Sequence, residues 1–166
     1  ALGCAIVHEP AVVFLDEPTA GVDPISRREF WELIYAMADQ GVTVLVTTHY
    51  MDEAELCQRV GFLNRGRLIA LDTPERLKVT EMRGQVLEIN TNTPDRAVRV
   101  LKAAQAAGEL PLDEVALYGA QIHAVVPAAE VYQSVIRETL TRADIAVREI
   151  TWIAPTLEDV FISAVR

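Results

Sequence analysis

The chain has 166 residues, 51% of them hydrophobic and 23% charged, which is the balance of a folded chain able to bury a core and excludes a disordered one. A net charge of -9 excludes broad, non-specific nucleic-acid binding, because only Lys78 and Lys102 supplement the arginines. The two cysteines, Cys4 and Cys57, form no CxxC pair and have no histidine at ligand spacing, so they read as reduced, packed thiols.

The first residues, Ala1 to Val7, have helical character but no N-cap and no start signal, as expected of a truncated chain. Ala11 to Asp16 (AVVFLD) is a nearly continuous apolar run, the pattern of a strand buried on both faces of a parallel sheet. A turn with Pro18, Gly21 and Pro24 follows. Asp23 is placed to cap a helix with Pro24 in its first turn. Phe30, Leu33, Ile34 and Met37 give that helix one apolar stripe, and Gly41 ends it. Val42 to Thr48 (VTVLVTT) reads as a second buried strand, and Met51 to Gln58 as a short helix with acids at its start. Val60 to Leu63 and Arg67 to Leu71 form a hairpin about Asn64-Arg65-Gly66. The alternation of strand and helix indicates a parallel α/β layer.

Residues 74 to 85 read as a short helix and linker, with Gly84 as a boundary. Beyond it the rhythm changes. The predicted elements are a strand over 86–90, a helix over 95–107, a hairpin over 115–118 and 121–126, a helix over 130–142 and a strand over 147–153. The order βαββαβ predicts a small α+β, ferredoxin-like sandwich. A last helix over 155–165 carries Leu157, Val160, Phe161 and Ala164 on one side. The expected fold class is therefore α/β, with a partial parallel sheet in residues 1–80 and an accessory α+β domain in residues 86–166. Trp152 and Tyr118 read as core or half-buried aromatics, and His8 and His123 as structural histidines.

The chemistry concentrates where the first strand ends in two consecutive carboxylates, Asp16 and Glu17. Ligands of parallel α/β sheets bind beyond the C-terminal ends of the strands. Neighbouring side chains there point different ways, so the two acids can divide the work. Asp16 suits Mg²⁺ held through water, since that ion prefers oxygen ligands and keeps its hydration. Glu17 suits positioning or deprotonating an attacking water. His49 ends the second strand, and a lone histidine there reads as structural.

The stretch Leu15 to Pro24 (LDEPTAGVDP) resembles the Walker B motif, catalytic Glu and D-loop of ABC ATPases. Val44 to His49 (VLVTTH), continuing as HYMDEAE, resembles the strand that ends in the switch histidine of that family. PTLEDVF (Pro155 to Phe161) is similar to the ending of many exporter-type ATP-binding subunits. The resemblance implies an ATPase, with Asp16 helping to hold Mg²⁺, Glu17 activating water and His49 contacting the γ-phosphate. It also implies that Gly21, Val22 and Asp23 lie in the D-loop, which crosses to a second subunit of a sandwich dimer. Family members often carry Leu where this chain has Val22.

No GxxxxGK[ST] phosphate loop occurs, and neither lysine follows a glycine. The signature motif expected just before Ala1 is absent too. In the family fold the phosphate-loop strand lies between the His49 strand and the Val60 strand, so a gap is expected there. The fragment alone is expected to be inactive, and its first half poorly ordered or self-associated. ATP and Mg²⁺ would be cofactors of the full-length protein only. The implied partners are a second ATP-binding subunit and a membrane permease, without nucleic acid, at the inner face of the cell membrane on the cytoplasmic side. A soluble ABC ATPase acting on the ribosome or nucleic acid is the alternative, and residues 86–166 could instead be a regulatory or dimerising module.

Overall fold

In the computed structural model, which describes residue 3 and residues 6–165, β1 (Val12–Asp16) pairs in parallel with β2 (Thr43–Thr47). The helical start expected over Ala1 to Val7 lies largely outside the described residues, as does Cys4. Between the strands runs α1 (Pro24–Asp39). Asp23 caps it, its side chain accepting from the Ile25 and Ser26 amides at 3.0 and 3.1 Å. Its far end closes as a Schellman motif. Val42 N–H donates to Met37 O and Gly41 N–H to Ala38 O, and Gly41 adopts φ 88°, which glycine accepts without a Cβ penalty. The buried stripe of α1 is Trp31, Ile34 and Met37, whereas Leu33 is exposed. The large indole turns the buried face one position from the expected stripe.

The strands differ from the expectation of burial on both faces. Val13 is 4% exposed but its neighbour Phe14 is 73% exposed, and Leu45 on β2 is exposed as well. Among the described residues only one face of this pair is covered. The helix expected over Met51 to Gln58 is a single turn, α2 (Met51–Ala54).

The chain divides into two compact units, residues 1–54 and 55–166. The boundary expected between 80 and 86 falls inside the second unit. There β3 (Val60–Asn64) and β4 (Arg67–Asp72) form an antiparallel hairpin, closed by Arg65 and Gly66 at positive φ. This is the backbone that a two-residue turn needs to match strand twist. After it, α3 (Pro74–Thr80) is capped by Thr73 and α6 (Leu157–Ala164) by Thr156. Four contacts tie these elements together. Phe62 meets Phe161 edge-on at 5.3 Å, Ser163 Oγ donates to Glu81 O, and the Glu55 carboxylate accepts from both Lys78 Nζ and the Leu157 amide. Side-chain packing, invisible in local composition, therefore joins residues 55–80 to the end of the chain.

Between α3 and α6 lie β5 (Gln85–Thr91), α4 (Pro94–Ala106), β6 (Glu114–Tyr118), β7 (Gln121–Val126), α5 (Ala129–Arg142) and β8 (Val147–Ile153). The sheet is antiparallel throughout, in the order β6-β7-β5-β8. That is the split βαβ arrangement expected from the element order. Leu87 and Ile89 of β5, Ile122 and Ala124 of β7, Leu101 of α4, and Ile136 and Leu140 of α5 form its fully buried core. His123 is buried on the opposite sheet face, with Nδ1 2.9 Å from Asp159 Oδ1 and its ring stacked on Tyr118 at 3.9 Å. Trp152 is 59% exposed rather than core.

Candidate functional site

Parallel pairing puts both C-terminal strand ends side by side, with Asp16 opposite Thr47. The Thr47 hydroxyl donates to Asp16 Oδ1 and accepts from the Glu17 amide at 3.1 Å. The Glu17 amide also reaches Thr47 O at 3.0 Å. These bonds fix the point where the chain leaves β1, and Glu17 turns away at φ 40°. A non-glycine residue at such a φ costs roughly 1–2 kcal/mol, a strain that tends to collect at functional sites. The Glu17 carboxylate meets His49 Nδ1 at 3.3 Å, and both side chains are about half exposed, at 51% and 57%. The structure thus brings together Asp16, Glu17 and His49, three residues singled out from sequence.

Gly21, at φ 72°, and half-buried Val22 follow in a turn stitched by Ala20 N–H to Glu17 O and Val22 N–H to Thr19 O. Asp23 is spent on the helix cap. Its hydrogen bonds to Ser26, through side chain and backbone, hold its carboxyl below the ordinary value of 3.8, outweighing the opposing effect of burial.

Four residues that the sequence did not single out build the frame. Thr47 joins Asp16 to Glu17. Glu53, 1% exposed, accepts from Thr19 Oγ1 at 2.7 Å and from Thr48 Oγ1 at 2.9 Å. Thr48, one residue beyond β2, and Thr19, three residues beyond β1, were the available signal, since hydroxyls there can bond locally to backbone or to a partner acid.

Among the described residues, no group of three or more acidic, histidine or cysteine side chains forms a metal cage. The single carboxylate of Asp16 instead fits Mg²⁺, which keeps several waters and takes other ligands from substrate phosphates. Residues 1–54, which carry this site, include no lysine, so the main phosphate donors would have to come from elsewhere.

No protein-family profile matches the chain. It is 38% identical over 164 residues to the daunorubicin resistance ATP-binding protein DrrA2 of Streptomyces coeruleorubidus, covering 97% of this chain and 50% of that protein. The chain's curated homologues are ABC transporter ATP-binding proteins. The "Probable multidrug ABC transporter ATP-binding protein YbhF" of Escherichia coli is 62% identical over 78 residues, 47% of this chain and 14% of that protein. The chain thus spans half or less of the length of these relatives. The solved structure of CbiO1 from Clostridium perfringens, described as part of the ABC transporter complex CbiONQ, aligns over 61% of the chain and 38% of its own length, with a TM-score of 0.39 at 26% identity. The assignment to ABC homologues rests on the sequence relatives. No helix among the described residues is long and apolar enough to cross a membrane.

Proposed function

We propose that this chain is the C-terminal part of the ATP-hydrolysing subunit of an exporter-type ABC transporter. The observation that carries the reading is the meeting of Glu17 and His49 at 3.3 Å beyond two paired parallel strands, beside Asp16. When bound, Mg²⁺ and ATP supply the charge neutralisation and the phosphoryl group. Asp16 would hold the ion, with water filling the rest of its shell. Glu17, half exposed beside His49, orients or deprotonates the attacking water. His49 donates to the γ-phosphate and, through Glu17, keeps the two groups in one geometry. Gly21, Val22 and Asp23 face a second ATP-binding subunit, and a separate membrane permease carries the cargo. The subunit works at the inner membrane face, on the cytoplasmic side, without nucleic acid. Relatives named for daunorubicin resistance, fluoroquinolone export and Nod factor export support the exporter direction.

The chain alone lacks a phosphate loop and is expected to be inactive. The test compares ATP hydrolysis by this chain with that of a version extended upstream through a phosphate loop and signature motif. Only the extended protein should turn over. Glu17→Gln should lower its kcat by roughly 10²–10⁴, the range of general-base catalysis. Hydrolysis by the 166-residue chain alone, or full activity in Glu17→Gln, would refute the proposal.

A further inference from the structure

Glu53 is a carboxylate withdrawn almost wholly from water, at 1% exposure, on a helix of only one turn. A buried charge is costly unless it is paired and hydrogen-bonded. Its partners come from both turns that carry the proposed chemistry. Thr19, itself 1% exposed, lies two residues after Glu17, and its hydroxyl donates to Glu53 Oε1. Thr48 directly precedes His49. Its hydroxyl donates to Glu53 Oε2 and accepts from the Tyr50 amide at 3.0 Å, so the bonds to Thr48 bracket His49. Arg27 closes a second route. Its Nε stands 3.5 Å from Glu53 Oε1, and its guanidinium lies 4.8 Å above the Tyr50 ring, which packs on His49 at 4.1 Å.

We propose that Glu53 is a positioning residue that locks the Thr19 turn to the Thr48–Tyr50 turn and thereby sets the distance between Glu17 and His49. This inference rests on the ATPase reading for its kinetic consequence, but not for its geometry. Glu53 touches neither water nor phosphate itself. It acts through Thr48 on the backbone of His49 and through Thr19 on the turn that follows Glu17. A satisfied polar network of this kind is worth more than its separate bonds, because each member orients the next.

The test uses the full-length protein. Glu53→Gln keeps the shape but cannot accept from both hydroxyls with charged oxygens. It should lower kcat by about 10- to 100-fold, as loss of an orienting outer partner does elsewhere, and leave KM for ATP unchanged. Glu53→Asp keeps the charge and should restore part of the loss. Thr48→Val, which removes one bond, should reproduce the Glu53→Gln defect. In a His49→Ala background Glu53→Gln should add little, because the two changes act on one unit. An equal fall in kcat in both backgrounds, or a raised KM with kcat intact, overturns the inference. A readout independent of turnover is the imidazole resonance of His49 by NMR, which should shift in both Glu53→Gln and Thr48→Val. An unmoved His49 resonance in folded Thr48→Val also overturns it, even should Glu53→Gln fail to fold. A wild-type full-length protein that hydrolyses no ATP would end the ATPase reading, while the resonance would still decide the role of Glu53.

Discussion

Gly84 immediately precedes β5, and its importance is steric. A Cβ built there would stand 2.7 Å from Val126 O and 3.0 Å from Val125 Cγ1. The first obstacle is backbone of β7, which no rotamer change can move. Gly84→Ala at an unstrained, open site would stabilise by about 0.4–1 kcal/mol through the unfolded chain. Here the strand ends must separate, and overpacking costs about 1–3 kcal/mol. The clash is the larger effect, so a net loss of about 1–2 kcal/mol is expected. The assay is urea denaturation of the chain followed by circular dichroism. Gly108 is the control, since it has φ 72° and nothing within 4 Å of its added Cβ. Gly108→Ala should also destabilise, through the left-handed backbone, and Gly108→Asn should recover part of the loss because Asn tolerates that region. Gly84→Asn should instead be worse than Gly84→Ala, having more atoms to place. A Gly84→Ala chain as stable as wild type would refute the close approach of residue 84 to β7.

Two further outcomes test the C-terminal unit. Thr156→Ala breaks a capping box in which Thr156 and Asp159 satisfy each other's backbone amides, and should cost about 1 kcal/mol, read in the same urea titration. Burial alone would push the Asp159 carboxyl up, but hydrogen bonds from His123 and from the Thr156 amide and hydroxyl hold it below 3.8. A carboxylate with a depressed folded value stabilises above its unfolded value and loses that contribution as pH falls through the folded one. The stability advantage of wild type over Asp159→Asn should therefore hold near neutrality and shrink as pH drops below about 4. An advantage that stays constant down to pH 2 would contradict this network.

The βαββαβ order was legible because each element of that unit buries one clean face against a neighbour close in sequence. Asp23, Gly41 and the Arg65-Gly66 turn were legible because their positions demand particular backbone chemistry. Asp16 and Glu17 stood out because a strand end announces itself in an apolar run, whereas His49 stood out only through the resemblance of its flanking residues. Glu53 was not, since an acid near the start of a short polar helix has the local pattern of a solvated residue, and only the partners 34 and 5 residues away make it a buried one. The exposed faces of Phe14 and Leu45 were misread for the converse reason, because an apolar run reports what a strand could bury and not what lies against it. The unit boundary escaped because contacts between Phe62 and Phe161, or Glu55 and Leu157, leave no trace in a local window.

The bond between the Glu55 side chain and the Leu157 amide spans 102 residues. At ribosomal rates, on the order of 5–20 residues per second, the β3–β4 hairpin is made about 5–20 s before α6 exists to meet it. An isolated two-stranded hairpin is marginal in water. During that interval the ring of Phe62 has no Phe161 to pack against, while the four-stranded sheet emerges behind it. Vectorial synthesis thus leaves the packing of the β3–β4 hairpin against α6, inside the second unit, as the last part of that unit to settle, and the most exposed to capture by chaperones or by other nascent chains.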